Sequence, residues 1–259
     1  MIKKKHKRYL HLMWVLAKTD FKMRYHASIL GYVWAVLKPL LIFLILNFVF
    51  SHVFGRGRGI ENYSLQLITG IVVWTYFNEG TNLGLTSLLS KSNILTKIYF
   101  PRWIIVISST INSTLIFFMN IFILVAFYIY YNVYPSITEI LFSFVYILLT
   151  YGLIVTFSFF AAPLYLRFRD LKQIWEVILQ GLFFAAPIIY PLYVMPAQYH
   201  KYILLNPMGI IIHYLKVTLI EDRLPNLSNH LLFFILLALF FIASLVFFKI
   251  TSKKAAEYV

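Results

Sequence analysis

Polar positions along this chain are gathered into short clusters, and long apolar runs fill the distance between them. Five runs, at 30–54, 65–89, 103–131, 137–166 and 231–250, each reach the length a membrane-spanning helix needs. That length is about 20 residues, because a rise of about 1.5 Å per residue must cross a hydrocarbon core of about 30 Å. A sixth run, 174–194, is long enough, but Pro187 and Pro191 should break its far end, since each removes a backbone donor and clashes one turn back. The stretch 197–220 divides at Asn206-Pro207 into pieces too short to cross, the lengths of re-entrant or interfacial helices. The pattern therefore predicts an all-α, polytopic membrane protein with six spans and short external re-entrant helices.

Ahead of the first run the period changes. Leu10, Met13, Trp14, Ala17 and Phe21 recur at helical spacing, with His11, Lys18 and Lys22 to one side. The spacing predicts a helix lying in the membrane interface, with Asp20 able to pair with Arg24 four residues on. Ser28 and Gly31 offer a bend, and Pro39 falls inside the first span where it can kink it. Two units follow: an arm and interface helix at 1–29, and a transmembrane domain at 30–259.

Composition fits the membrane reading, since 61% of residues are hydrophobic against roughly 45–50% in soluble domains. Charge sets the orientation. Seventeen of the 23 Lys and Arg fall in the arm, the loops at 90–102 and 167–172 and the C-terminal end. Five (Arg56, Arg58, Lys201, Lys216, Arg223) fall on the opposite side, and Lys38 lies within a span. Both termini are thus expected in the cytoplasm. The formal net charge of +14 is read as topology and attraction to anionic lipid rather than nucleic-acid binding.

Candidate chemistry is sparse. There is no phosphate-binding loop, no H-E-x-x-H and no G-x-S-x-G. The glycine-rich GRGRG at 55–59 reads as a turn, the seven histidines form no ligand set, and the absence of cysteine excludes thiolate chemistry. Three N-x-[ST] matches, at Asn62, Asn112 and Asn226, are read as chance. No metal site and no catalytic residue is expected. A polyprenyl-phosphate-dependent membrane enzyme would need a cytoplasmic acidic cluster, and only Asp20, Asp170, Glu176 and Glu257, widely separated, are available there.

Five short motifs in order complete the picture. Arg24-Tyr25 with Ser28, Leu30-Gly31, Trp34 and Pro39 resembles the start of ABC-2-type exporter permeases, most closely those that export lipid-linked O-antigen or teichoic-acid polysaccharides. LLSKSNILTKIYFPR (88–102) resembles that family's first cytoplasmic loop and RFRDL (167–171) its second. APIIYP (186–191) resembles the end of its fifth span, and LNPM (205–208) its external gate segment at 187–220. The resemblance implies a homodimer in the bacterial inner membrane, served by two separate ATP-binding subunits that carry ATP and Mg²⁺, with no cofactor on this chain. An ABC-2 exporter of a drug or small lipid is the neighbouring alternative.

The resemblance also implies roles. Ser90, Lys91, Asn93, Lys97, Pro101 and Arg102, with Arg169 and Asp170, would face the ATPase, the first loop as a coupling helix. Against this stand a solvated turn for 90–102 and a local cap or pair for Arg169 and Asp170. Pro187, Tyr190, Pro191, Asn206 and Pro207 would shape the external gate. Lys22, Arg24 and Tyr25, at headgroup depth, would meet a lipid-linked diphosphate beside Ser28 and Trp34, or else anchor the helix to anionic lipid. Lys38 and Glu79 either pair within the membrane, or Lys38 snorkels while Glu79 sits near the cytoplasmic end.

Overall fold

The computed structural model describes residues 2–25, 29–52, 60–97, 100–225 and 230–252. Ten α-helices account for most of them, and no strand occurs among the described residues. They are α1 (Ile2–Tyr25), α2 (Val33–Phe50), α3 (Tyr63–Ser90), α4 (Ser92–Lys97), α5 (Trp103–Tyr130), α6 (Ile137–Arg167), α7 (Leu171–Ala185), α8 (Ala197–Ile203), α9 (Pro207–Ile220) and α10 (Leu231–Thr251). A 3₁₀ turn covers Leu192–Val194.

Local chemistry explains the boundaries. Gly31, at φ 50, turns the chain into α2 in a conformation that side chains disfavour. Ser136 opens α6 with a reciprocal cap: its hydroxyl accepts from the Glu139 amide, and the Glu139 carboxylate accepts from the Ser136 amide at 2.8 Å. Asn206 caps α9 by accepting from the Met208 amide at 3.0 Å, with Pro207 at the first helical position. The interface helix is longer than the 10–21 period predicts, because the basic arm before it continues the same helix.

At the centre lies α3. Leu65, Leu67, Ile68 and Ile71 share one buried cluster with Ile154 of α6, with Ile188, and with Met208, Ile211 and Leu215 of α9. A second cluster, Leu88, Ile105, Val106, Phe159, Ala162 and Phe248, closes the C-terminal end of α3 against α5, α6 and α10. The α3–α6 approach is close: a Cβ at Gly84 would lie 1.8 Å from Ser158 Oγ.

Among the described residues four helices, α2, α5, α6 and α10, are long and apolar enough to cross a membrane, which makes up to five spans if α8 and α9, bent by 115°, count as one broken span. Two expected spans stand apart. With 28 residues α3 is long enough, but Gln66, Thr69, Asn78, Glu79, Thr81, Asn82, Thr86 and Ser87 dilute its apolarity. Its neighbours shield it, so its surface need not suit lipid. The 174–194 run becomes 15-residue α7, about 22 Å by helix rise, followed by an irregular turn. The helix stops at Ala185, because the residue before Pro187 is pushed out of the helical region.

Candidate functional site

Three charges from three elements meet on Glu79, midway along α3. The Arg24 guanidinium, in the last turn of α1, donates to Glu79 Oε2 at 2.5 Å. Lys38, one residue before the buried Pro39 of α2, donates to Oε1 at 3.0 Å. The Glu79 side chain is only 15% exposed, whereas that of Lys38 is 61% exposed. One carboxylate thus holds two cations, and the cluster carries a net single positive charge. Of the two arrangements the sequence left open for Lys38 and Glu79, the structure has the pair, and Arg24 joins it as a third member.

Beside the cluster a cavity of about 420 Å³ opens between α2, α3 and α7. Lys38 and Glu79 line it together with Trp74, Asn78, Asn82 and Phe183. The rings of Trp74 and Phe183 meet edge to face at 5.8 Å. Asn82 donates to Asn78 Oδ1 at 2.9 Å, one turn away on the same face. Glu176 of α7 lines the cavity as well and Arg24 does not, so ring faces and amides share the space with one lysine and two carboxylates.

A second ion pair corrects the expectation that Asp20 pairs with Arg24. Asp20 instead accepts from Lys91, whose side chain is 8% exposed and reaches Ser108 Oγ at 3.4 Å. The local pair loses because Arg24 and Asp20 each have a partner on α3 or its cap, where burial strengthens the attraction.

The remaining expected residues fall into place unevenly. Lys22 and Trp34 are exposed and stand outside the Glu79 cluster. Ser28, the GRGRG turn, Asn226 and the side chains of Tyr25 and Lys97 lie outside the described residues. In the 90–102 segment, Ser90 donates to the Ser87 carbonyl at 3.0 Å and exposed Asn93 lies on α4. Pro101 and Arg102 form the turn into α5, their carbonyls accepting from Ile104 and Ile105. Asp170 occupies the N-cap position of α7 without a side-chain cap bond, and the Arg169 guanidinium lies 5.9 Å from the Tyr165 ring centre.

Of the residues expected to shape a gate, Pro187 meets a lysine that charge counting had placed among the outer basic residues. Lys216 of α9 is buried, and its ammonium donates to the carbonyls of Pro187 at 2.7 Å and Ile188 at 2.8 Å. The Tyr190 hydroxyl donates to the Phe184 carbonyl at 3.0 Å, while Pro191 precedes the 3₁₀ turn. Asn206 and Pro207 start α9 on the far side of its bend from α8. In the same part of the molecule, buried His230 meets the Tyr146 hydroxyl at 3.1 Å.

Sequence reasoning missed Asp20–Lys91, the Lys216 clamp and the cavity wall. Only the last left a local signal: Asn78 and Asn82 mark a polar face, one turn long, on an otherwise apolar run.

A family model described as the ABC-2 type transporter matches residues 11–220. The chain belongs to the ABC-2 type transporter family. The match takes in the Glu79 cluster, α4 and the bent α8–α9 unit, which are therefore parts of a multi-pass membrane transporter. The O-antigen export system permease protein RfbA of Klebsiella pneumoniae is 31% identical over 205 residues, 78% of this chain and 77% of its own. A protein of the same name from Myxococcus xanthus is 27% identical over 221 residues, 84% of either chain. The polysialic acid transport protein KpsM of Escherichia coli is 24% identical over 230 residues, 85% of this chain and 86% of its own.

Proposed function

We propose that this ABC-2 chain is the permease subunit of an ATP-driven exporter that carries a lipid-linked polysaccharide outward across the bacterial inner membrane. Two copies form the pathway, and two separate ATP-binding subunits supply the energy, consistent with the missing phosphate-binding loop. Six spans are α2, α3, α5, α6, α7 with the irregular 186–194 segment, and α10. In this arrangement α8 and α9 fold back as an external gate, both termini are cytoplasmic, and α4 and the 167–172 turn face the ATPase.

The observation that carries the reading is the Arg24–Glu79–Lys38 cluster, itself net positive, whose Lys38 and Glu79 line a cavity of rings and amides together with Glu176. A lipid-linked polymer brings a diphosphate followed by sugars. The guanidinium fork matches phosphate oxygens in a bidentate way, and Lys38 adds a more exposed point charge. Ring faces stack on sugars, while amides exchange hydrogen bonds with hydroxyls without fixing a moving chain. Relatives named for O-antigen and polysialic acid transport agree with that chemistry.

Arg24→Lys and Arg24→Ala, assayed together for polysaccharide export and membrane abundance, test the reading. Diphosphate recognition requires lost export in both with abundance unchanged. Unchanged export in both removes Arg24 from the substrate path and leaves it an anchor for α1.

A further inference from the structure

Lys91 occupies an unusual junction. Its backbone is the single residue between the end of α3 at Ser90 and the start of α4 at Ser92, and its carbonyl accepts from the Ile94 amide at 3.0 Å in the first turn of α4. Its side chain runs the other way, into the protein, where Asp20 of α1 and Ser108 of α5 receive the ammonium. One residue therefore begins the α4 turn and holds α1.

The geometry on α1 is equally specific. Met13, Ala17, Asp20 and Arg24 follow a single helical stripe, and Met13 and Ala17 are buried. Near the start of the helix, the Tyr9 ring packs edge to face on Trp103 of α5 at 6.4 Å. Asp20 and Arg24 lie one turn apart on α1, but their partners Lys91 and Glu79 lie about 18 Å apart along α3 by helix rise. The two ion pairs fix both the height and the inclination of α1 against α3. A burial this complete leaves the Lys91 ammonium no inexpensive alternative to Asp20.

We propose that Asp20 is a positioning residue: through Lys91 it straps α1 to the α4 turn, so that displacement of α4 carries the interface helix and sets Arg24 on or off Glu79. The inference rests on the reading of α4 as the ATPase-facing segment. Motion imposed at α4 then reaches the Arg24–Glu79 contact through a rigid helix rather than through the length of α3.

The test uses the full chain with its ATP-binding subunit in proteoliposomes. The chain contains no cysteine, so Met23→Cys, at a position 68% exposed, reports on the end of α1 by its rate of maleimide labelling. Adding Mg-ATP should change that rate at least threefold in the Met23→Cys parent. The response should vanish in Asp20→Asn and in Lys91→Asp with insertion and ATPase association retained, and return in the exchange of Asp20→Lys with Lys91→Asp. A retained response in Asp20→Asn overturns the strap, as does an unresponsive parent. Failure of the exchange to restore the response also overturns it, as does loss that only follows reduced insertion or ATPase association. Export measured alongside separates the two readings. A parent that responds to Mg-ATP through this pair but moves no polysaccharide refutes the substrate assignment and leaves the strap intact.

Discussion

Glu79→Gln removes the one negative charge that Arg24 and Lys38 share while keeping the size of the side chain. Charges about 4 Å apart attract by about 4 kcal/mol at an effective dielectric of about 20. Solvent lowers the realised value. The Lys38 contact, at a mostly exposed ammonium, contributes about 0.5 kcal/mol, in the range of surface pairs. The shorter Arg24 contact, on a carboxylate 15% exposed, contributes about 2 kcal/mol as a hydrogen bond between charged groups. Only the Arg24 contact holds α1, since Lys38 ties α2 to α3, so its loss should free the end of α1 by about 2 kcal/mol, a rise of about 25-fold in its detached population, since each 1.4 kcal/mol is tenfold. Trypsin reads that population directly, because Lys22 and Arg24 become cleavable only when the helix end lifts and unwinds. Cleavage at these two positions in detergent-solubilised protein should therefore accelerate about 25-fold in Glu79→Gln. Glu79→Asp, which keeps the charge but shortens the reach, should fall between. A rate within threefold of the parent would show that the Glu79 cluster does not hold α1 and that packing along α5 suffices.

Two further perturbations address the scaffold. Lys216→Met withdraws two donors from the Pro187 and Ile188 carbonyls, and after the relief of a buried ammonium about 3 kcal/mol of local stability should be lost. Hydrogen exchange across residues 186–190 should then quicken roughly 100-fold while α5 is unchanged. Gly84→Ala places a methyl group 1.8 Å from Ser158 Oγ, so α3 and α6 must separate at a cost of about 1–3 kcal/mol or more. The lowered unfolding temperature in detergent should recover when Ser158→Gly is added.

Boundaries set by abrupt changes in polarity were legible in the sequence, and those set by packing were not. The 103–131 and 231–250 runs match α5 and α10 to within one residue, because Pro101-Arg102 and the lysines after residue 248 punctuate them sharply. The end of α7 was harder to read: Pro187 announces a break, but only the structure reveals how the freed carbonyls are satisfied by a lysine 29 positions on. Charge counting assigned Lys216 a side of the membrane and no more, since a sign carries no information about burial. The same limit explains Asp20. Helical spacing offers Arg24 as its nearest cation, whereas the partner it takes is 71 positions away and becomes visible only once α1 is packed along α5.

Lys38 and Glu79 were half legible: an ionised group in an apolar run needs a counter-charge or water, which left pairing and separate snorkelling both open until the structure showed the pair. That constraint also accounts for the character of α3. A helix facing lipid on all sides would not tolerate Asn78, Glu79 and Asn82 in succession, but α3 is enclosed by α5, α6, α7 and α9, and its polar face turns toward the cavity and the charges. Enclosure and polarity are thus two aspects of one arrangement: the neighbours give α3 its apolar burial on one side and leave it free to carry hydrogen-bonding groups on the other. The same enclosure makes α3 the common partner of both ion pairs from α1, one at its midpoint and one at its C-terminal cap. With Asp20 held on Lys91, a shift of α1 relative to α3 makes or breaks the Arg24–Glu79 pair at the other end, which favours two discrete positions over a continuum of small adjustments.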